Sequence, residues 1–193
     1  MDMKSPELLF ESRLNIAAPG GISAMEGKLR FVQGKPKLHA APVLVGDSEV
    51  DSAGVSLHDG TVLRDGGRYR MWYWATPQAT KGSDDEIQQA YAESDDGIEW
   101  KKPALGIVSR HSRPNNLINI RVGTIFIDPG APPNCRYRAT GYLGPSCCVG
   151  VPAGLTHKGY YTSHSADGLR WELDALEPTW WDGDVIDLSL IHI

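Results

Sequence analysis

Two seven-residue stretches place an aspartate where it could bind a calcium ion or take part in catalysis. Ser94–Trp100 and Ser165–Trp171 share the pattern Ser-x-Asp-Gly-Ile/Leu-x-Trp. The same residue types also build tight turns, because Asp accepts backbone N–H groups and Gly adopts a positive φ. A tryptophan at the end of such a turn can seal the gap to a neighbouring sheet. The pattern therefore favours a structural turn over a calcium or catalytic site.

The three cysteines predict neither a disulfide framework nor a metal site. Cys147 and Cys148 are adjacent, so they are poor partners for each other, and Cys135 makes the count odd. A thiolate metal site needs spaced ligands such as a C-x-x-C pair, which the sequence lacks. We therefore expect plain buried thiols in a reducing compartment, with no metal and no cofactor.

Charge and hydropathy exclude several kinds of partner. The net charge is −5 and no basic cluster is longer than Lys101-Lys102, whereas binding to phosphates requires a basic face. No segment approaches the roughly 20 consecutive apolar residues of a membrane span. The first residues, Met1–Asn15, lack the apolar core of a signal peptide. The sequence therefore predicts a cytoplasmic protein that binds neither nucleic acid nor membrane, and whose ligands are neutral or small.

An internal repeat organises the chain. Gly60–Asp65 recurs as Gly123–Asp128, Arg68–Arg70 recurs as Arg136–Arg138, and the Ser-x-Asp-Gly motif occurs twice. The offset between the copies grows smoothly along the chain, as expected if the second copy has slightly longer turns. Three matches in the same order predict two copies of one structural unit.

Each copy is predicted to form four short antiparallel strands. Aromatic and β-branched residues dominate, and turns interrupt them too often for helices. The Asp65-Gly66-Gly67 turn is a strong hairpin signal. The predicted strands are Gly60–Arg64, Tyr69–Ala75, Ile87–Glu93 and Ile98–Pro103 in the first copy, and Thr124–Ile127, Tyr137–Leu143, Gly159–Ser163 and Leu169–Leu173 in the second.

The strand Tyr69–Ala75 indicates how the sheets pack. Met71 and Tyr73 lie on one face and Trp72 and Trp74 on the other, so both faces are apolar. Sheets stacked around an axis have this property, because each blade packs against two neighbours. The sequence therefore predicts an all-β fold, specifically a partial five-bladed β-propeller with four-stranded antiparallel blades.

The repeat also predicts the domain boundaries. An N-terminal lead with weak strands, clearest at Leu29–Val32 and Pro42–Val45, covers residues 1–50. Blade 1 covers residues 51–115, blade 2 covers 116–178, and a third blade starts at 179–187. The last six residues, 188–193, resemble the in-frame translation of a transposon end used in sequencing libraries. They are predicted to be a non-native tail, with an ordinary apolar strand as the alternative.

One stretch of the first copy resembles a known group of enzymes. Asp59–Tyr73 reads Asp-Gly-Thr-Val-Leu-Arg-Asp-Gly-Gly-Arg-Tyr-Arg-Met-Trp-Tyr and is similar to the first blade of five-bladed glycosidases. These are the arabinanase and invertase relatives, glycoside hydrolase families 43 and 32. Tyr91–Trp100 resembles their hairpin between the third and fourth strands, and the resemblance covers about residues 50–187. It implies a glycosidase in full-length form that hydrolyses an oligo- or polysaccharide with channel carboxylates, and a fragment that is inactive alone.

The resemblance also implies catalytic and substrate-binding residues in the first copy. Asp59 matches the aspartate that opens the innermost strand, where it acts as general base or nucleophile. An aspartate before a strand is also a common turn residue. His58 points away from Asp59 if the strand has begun, so at most one of the two faces a substrate.

Further candidates lie at the start of the predicted third blade. Asp182 and Asp184 could face the channel and bind the substrate. Trp181, with Trp180 beside it, could form a platform on which a sugar stacks. The alternative for this aromatic pair is packing between blades.

The sequence departs from the pattern of these enzymes in ways that bear on activity. Val122 stands at the second-copy position of Asp59, where relatives often place another aspartate. The general acid, usually a glutamate from a later blade, has no assignable match. Two alternatives therefore stay open: a non-catalytic carbohydrate-binding propeller, which Val122 favours, and a propeller that binds other proteins. Fold similarity alone does not decide between them.

Overall fold

The computed structural model describes residues 35–78, 87–109, 114–145 and 151–181. Two units divide the chain, Met1–Leu38 and His39–Ile193, and the strands named below belong to the second unit. Asp182, Asp184, the predicted strand Leu29–Val32 and the tail 188–193 lie outside the described residues. Of Asp59 only the backbone is described.

The first repeat forms sheet 1, which has three antiparallel strands in the order β1-β2-β3. They are β1 (Gly54–Asp65), β2 (Arg68–Thr76) and β3 (Gln88–Ser94). The turn between β1 and β2 has positive φ at Gly66 (57°) and Gly67 (87°), which confirms the predicted hairpin. The strand β1 begins before the predicted Gly60, because Gly54, Val55 and Ser56 also pair with the end of β2.

The second repeat forms sheet 2, with four antiparallel strands in the order β4-β5-β6-β7. They are β4 (Ile125–Ile127), β5 (Tyr137–Leu143), β6 (Gly159–Ser165) and β7 (Glu172–Leu173). A short 3-10 helix, Pro133–Cys135, precedes β5. Among the described residues, no helix is long and apolar enough to cross a membrane.

The two sheets repeat the same strand register. Tyr69 pairs with Ser94 in sheet 1, and Tyr137 pairs with Ser165 in sheet 2. The first of each pair belongs to the repeated Arg-Tyr-Arg and the second opens the repeated Ser-x-Asp-Gly motif. The structure therefore confirms the repeat and the all-β class that it predicts.

The fourth strand of the first repeat is the main correction to the predicted elements. A strand at Ile98–Pro103 is wrong, because only Glu93 and Lys101 pair there, as an isolated bridge. In the second repeat, β7 is followed by Asp174, which donates its N–H to the Thr162 carbonyl at 3.0 Å, and Pro103 stands at the equivalent position of the first repeat. Pro103 has no N–H to donate.

The Ser-x-Asp-Gly motifs are structural turns, as predicted. Gly97 and Gly168 have φ of 79° and 76°, and each donates its N–H to the motif serine at 2.9 Å. Trp100 and Trp171 each donate their indole N–H to the carbonyl of the motif glycine at 3.0 Å. The side chain of Trp171 is buried in the core between the sheets. The motif therefore organises the turn itself.

Sheets 1 and 2 pack face to face. Trp72 and Tyr91 of sheet 1 share a buried cluster with Tyr137, Ala139 and Trp171 of the second repeat. The indole N–H of Trp72 donates to the carbonyl of Gly168 at 2.7 Å. A Cβ at Gly168 would lie 2.9 Å from the Trp72 ring, so only glycine permits this approach. The turn of the second motif is therefore part of the contact between the sheets.

The opposite face of sheet 1 is covered by segments outside the strands. Met71 and Tyr73 are buried there with Val50 and Leu117. The predicted weak strand at Pro42–Val45 is wrong: Pro42 lacks an N–H group, and Leu44 instead packs against this cluster. The strand β2 is therefore buried on both faces, as its sequence predicts.

The strands β1 and β4 lie next to each other and run in the same direction. Past the middle of β1 and at the start of β4, the Thr61 hydroxyl donates to the carbonyl of Gly123 and accepts from the N–H of Ile125, each at 3.0 Å. Near their far ends, Asp65 contacts Arg136. The Leu57–Thr61 stretch of β1 and the start of β4 therefore lie close together, and we call this region the strand-start end.

Candidate functional site

A wide bulge in β1 presents two of the predicted site residues at the strand-start end. Ser56 pairs with Trp74 and Thr61 pairs with Trp72. Four residues of β1 therefore lie between these two pairs, opposite a single residue of β2. Leu57–Gly60 is therefore displaced from the ladder and carries His58 and Asp59. A Cβ at Gly60 would lie 2.7 Å from the Trp72 carbonyl oxygen, so glycine is needed where the chain returns to the ladder. Bulges of this kind often redirect side chains next to active sites.

His58 lies beside an aromatic ring at this end. Its imidazole meets the indole of Trp74 edge to face, with ring centroids 5.0 Å apart and an interplanar angle of 75°. The backbone N–H of His58 donates to the hydroxyl of Ser56 at 3.0 Å, which fixes the start of the bulge. The side chain of Asp59 is not described, so the structure leaves its catalytic role a prediction.

Arg121 brings the second repeat to the same ring. Its guanidinium carbon lies 4.9 Å from the centroid of the Trp74 ring, within the range of a cation–π contact. Its Nη2 donates to the carbonyl of Tyr142 at 3.1 Å, which holds the side chain against sheet 2. Arg121 precedes Val122 and Gly123 as His58 precedes Asp59 and Gly60, so it is the second-repeat counterpart of His58. Equivalent positions of the two repeats therefore converge on Trp74.

Two polar groups at this place are buried without a hydrogen-bond partner among the described residues. They are the indole N–H of Trp74 and the whole amide of Gln89, a residue that is 2% exposed. Trp74 and Gln89 pair directly across β2 and β3, so their side chains share one face of sheet 1. Leaving a buried donor or acceptor unsatisfied costs about 1–3 kcal/mol. A polar ligand that reached these groups would therefore recover that free energy.

Val122 removes one candidate carboxylate from the site. Its side chain is fully buried in the cluster between the sheets. The second-repeat position of Asp59 is therefore a core position and not part of a polar cavity.

Trp181 is exposed and separate from the Trp74 ring. It contacts His157 edge to face, with centroids 4.6 Å apart. Its neighbour Trp180 pairs with Tyr160 through the backbone, which attaches this segment to the start of β6. No described contact joins Trp181 to His58. The proposed sugar platform at Trp181 therefore stays a prediction, as do Asp182 and Asp184.

Another polar cluster, on the opposite face of sheet 1, has a structural role. The buried carboxylate of Asp51 accepts from Lys102 Nζ at 2.5 Å, from the Ser48 hydroxyl at 2.7 Å and from the Tyr73 hydroxyl at 3.0 Å. Burial raises the pKa of Asp51, but the hydrogen bonds from Lys102 and Ser48 outweigh it and leave the pKa below its usual value. Burial also raises the pKa of Tyr73 far above that of a free phenol. The cluster joins the 47–51 segment to sheet 1.

The described residues offer no ready metal site. Among them, no group of three His, Cys, Asp or Glu side chains is close enough to hold an ion.

Sequence reasoning finds His58 and misses its partners. Trp74 lies within an apolar strand, which indicates packing, and Gln89 carries no motif. Arg121 could have been found, since it stands at the His58 position of the second repeat. What the sequence lacks is the information that Trp74 lies at the boundary between the sheets.

The fold and the site define a class: an all-β protein made of two consecutive antiparallel sheets, with polar and aromatic side chains close together where β1 lies beside β4. No family model matches the chain. It is 29% identical over 139 residues to "Uncharacterized protein MT1551" of Mycobacterium tuberculosis (strain CDC 1551 / Oshkosh), covering 67% of this chain and 40% of that protein. The chain thus spans less than half of the length of this curated relative.

One solved structure, that of a "BT0996 RGII" complex, also resembles the chain. The match has a TM-score of 0.34 and 16% identity, and it covers 70% of this chain and 40% of the matched one. A likeness at this level supports no conclusion about the site.

Proposed function

We propose that this chain forms part of a β-propeller and binds a carbohydrate at the strand-start end. The two sheets, each formed by one copy of the repeat, pack face to face. Their first strands, β1 and β4, lie side by side and run in the same direction. That arrangement supports blades around an axis, divided as blade 1 over 51–115, blade 2 over 116–178 and the start of a third over 179–187. The strand-start end would then line the mouth of the channel that runs along this axis.

The observation that carries the proposal is the pair of unpartnered groups beside the Trp74 ring. Gln89 offers one carbonyl acceptor and one amide donor group, and Trp74 offers an indole donor. A sugar hydroxyl both donates and accepts, so it can satisfy either group, while its C–H face packs on an aromatic ring. His58 and Arg121 add hydrogen-bonding groups next to that ring. A neutral or mildly acidic saccharide fits this set of groups.

Binding is tested by substitutions that remove the unpartnered groups and little else. Gln89→Leu keeps most of the side-chain volume and deletes the amide, and Trp74→Phe deletes the indole N–H. We expect each to weaken binding about tenfold or more in calorimetric titrations against a panel of oligosaccharides. Gln89→Leu should not lower Tm, because the lost amide has no described partner.

The matched control is Gln78→Leu, at an exposed glutamine outside the site. It should bind as the unmodified chain does. Equal affinity in the Gln89→Leu, Trp74→Phe and unmodified chains would remove these groups from the site, and failure of every saccharide to bind would contradict the carbohydrate assignment.

Hydrolysis of a glycosidic bond is the second candidate function, and the position of Asp59 favours it. Its backbone lies in the β1 bulge, next to His58, at the strand-start end. In this proposal Asp59 acts as the general base or nucleophile, and a second carboxylate protonates the leaving oxygen. No described residue is assigned that second role, so the reaction belongs to a protein that completes the propeller.

Asp59→Asn separates the two functions. In a protein that completes the propeller, we expect release of reducing sugar to fall by orders of magnitude while saccharide affinity changes little. The measurement pairs a reducing-sugar assay with calorimetric titration. An unchanged rate of release would exclude Asp59 from the mechanism, and binding without release in the unmodified protein would leave carbohydrate binding as the function.

A further inference from the structure

Arg121 at the strand-start end lacks the carboxylate partner that most arginines in the described part of the chain have. Five arginines lie within ion-pair distance of an aspartate or glutamate: Arg68, Arg70, Arg136, Arg138 and Arg170. No described carboxylate lies that close to Arg121, although its side chain is partly buried. Taking a charge partly out of water costs free energy unless an opposite charge or hydrogen bonds compensate for it. The position therefore favours an anionic partner.

Most of the hydrogen-bonding capacity of Arg121 is not used by the described residues. A guanidinium group has five N–H donors in one plane, and the described one from Nη2 goes to the Tyr142 carbonyl at 3.1 Å. The Trp74 ring, 4.9 Å from the guanidinium carbon, attracts the charge but offers no acceptor. These contacts fix the position of the guanidinium and leave Nε and Nη1 without a described acceptor. Two neighbouring donors of this planar fork match the two oxygens of a carboxylate.

The groups on which the carbohydrate proposal rests lie next to this guanidinium. Trp74 carries the unpartnered indole N–H and pairs across the ladder with Gln89, whose amide also has no described partner. A uronic acid residue carries a carboxylate on the carbon attached to its ring and hydroxyls on the ring itself. One such residue can therefore present its carboxylate to Arg121 and its hydroxyls to the indole and the amide.

Arg64 shows that an arginine over an aromatic ring is not by itself a site. Its guanidinium carbon lies 5.6 Å from the centroid of the Tyr69 ring, much as Arg121 lies over Trp74. Arg64 is exposed, however, so water can satisfy its donors. Tyr69 and Ser94, which pair there, have no buried polar atom without a partner in the described chain. The combination of a partly buried cation with unpartnered neutral groups distinguishes the strand-start end.

We propose that the strand-start end selects a saccharide that carries a carboxylate, and that Arg121 is the residue that binds this carboxylate. The inference rests on the proposed carbohydrate binding and adds the class of sugar, a uronic acid residue. Arg121 pairs with the carboxylate through two N–H groups, while Gln89 and Trp74 bind hydroxyls of the same sugar. The chain as a whole has a net charge of −5, so the preference for an anion depends on this local cation.

The experiment compares three matched ligands in calorimetric titrations of the full chain. They are a disaccharide that ends in glucuronate, the methyl ester of that disaccharide, and the disaccharide that ends in glucose. The ester keeps the shape of the uronate closely and removes its charge. We expect the glucuronate ligand to bind about tenfold or more tightly than the other two. A galacturonate and galactose set covers the second common stereochemistry, and the set that binds more tightly is the one evaluated.

Two substitutions of Arg121 test its role in this preference. Arg121→Gln removes the charge and should abolish the preference for the uronate while changing the affinity for the uncharged ligands only about twofold. Arg121→Lys keeps the charge without the planar fork, so its preference should lie between the two, and it serves as the test if Arg121→Gln does not fold. Arg64→Gln is the matched control and should bind as the unmodified chain does. A purely structural role of Arg121 would lower Tm without changing the ratio of uronate to ester affinity.

Several results would overturn the proposal, and they differ from a failure of carbohydrate binding. Equal affinities for the uronate and its methyl ester would exclude selection of a carboxylate but leave carbohydrate binding in place. A preference that persists in both Arg121 variants would assign the carboxylate to another residue. A rise in uronate affinity of about tenfold in Asp59→Asn would mean that Asp59, and not a ligand, pairs with Arg121. Binding of no ligand from either set would contradict the proposed function itself.

Discussion

Asp65, the last residue of β1, is predicted to stabilise the contact between the two sheets, and its substitution tests that role. Its carboxylate accepts from Arg136 Nη1 at 3.0 Å and Nη2 at 2.5 Å, and the hydroxyl of Tyr137 also donates to it. Arg70 Nε lies 3.7 Å away. The hydrogen bonds from Arg136 are the main reason that the pKa of Asp65 lies far below its usual value, although burial opposes them.

Asp65→Asn keeps the size of the side chain and removes its charge. A hydrogen bond to a charged group contributes about 1.5–3 kcal/mol to stability. The side chain of Arg136 is 40% exposed, so water recovers part of this when the carboxylate is lost. We therefore expect the free energy of unfolding to fall by about 2 kcal/mol at neutral pH. For a unit of this size that corresponds to a Tm lower by about 4–8 °C.

The assay is urea unfolding followed by tryptophan fluorescence, with Asp95→Asn as the matched control. Asp95 also pairs with an arginine, Arg68 at 3.1 Å, but both side chains are exposed. An exposed pair contributes little, so the control should lose less than about 0.5 kcal/mol. Equal losses in the free energy of unfolding for Asp65→Asn and Asp95→Asn would show that burial and the bidentate contact with Arg136 do not stabilise the fold.

The pH dependence provides a second test of the same argument. The pKa of Asp65 is lower in the folded chain than in the unfolded chain, where it is about 3.9. Its stabilisation is therefore complete above the unfolded value and is lost as the pH falls toward the folded one. The difference in stability between the unmodified chain and Asp65→Asn should be full at neutral pH and shrink below about pH 4. A difference that stays constant over this range would contradict the assigned pKa direction.

Two further substitutions test the contacts that hold the repeats together. Gly168→Ala should cost about 2–4 kcal/mol in urea unfolding, because φ is 76° and the new Cβ would meet the Trp72 ring at 2.9 Å. Gly66→Ala, where a Cβ has open space, should cost only about 1 kcal/mol, and equal losses at the two glycines would contradict the close approach. Asp51→Asn should lower stability by about 2–3 kcal/mol in thermal unfolding, because it leaves the ammonium of Lys102 without its buried carboxylate. A loss no larger than that of Asp47→Asn, which changes the exposed partner of Lys102, would show that burial is unimportant there.

Much of the fold could be predicted because the sequence repeats its local signals. The Arg-Tyr-Arg and Ser-x-Asp-Gly stretches fix both ends of a strand pair, so the Tyr69–Ser94 and Tyr137–Ser165 registers follow. The fourth strand of the first repeat could not be predicted from its apolar residues. Its last residue, Pro103, lacks the N–H that Asp174 donates to the Thr162 carbonyl at the end of the equivalent strand β7, and the hydrophobic pattern does not show this loss.

The partners across the sheets were harder to predict. Asp65 looks like an ordinary turn residue, and its partner Arg136 belongs to the other repeat, far away in the chain. Trp74 and Gln89 became site candidates only when the structure showed that they pair on the face toward the second repeat. Asp59 remains a prediction that rests on resemblance, because the structure describes its backbone in the bulge and nothing of its side chain.

The two repeats differ at the proposed binding site. Several positions that hold the fold are alike in both copies: the motif aspartates Asp96 and Asp167 make the same turn, and Thr61 has Thr124 as its counterpart. At the strand-start end the copies diverge, with His58 against Arg121. Unlike side chains from the two repeats meet at the Trp74 ring, beside the unpartnered polar groups on which the binding proposal rests.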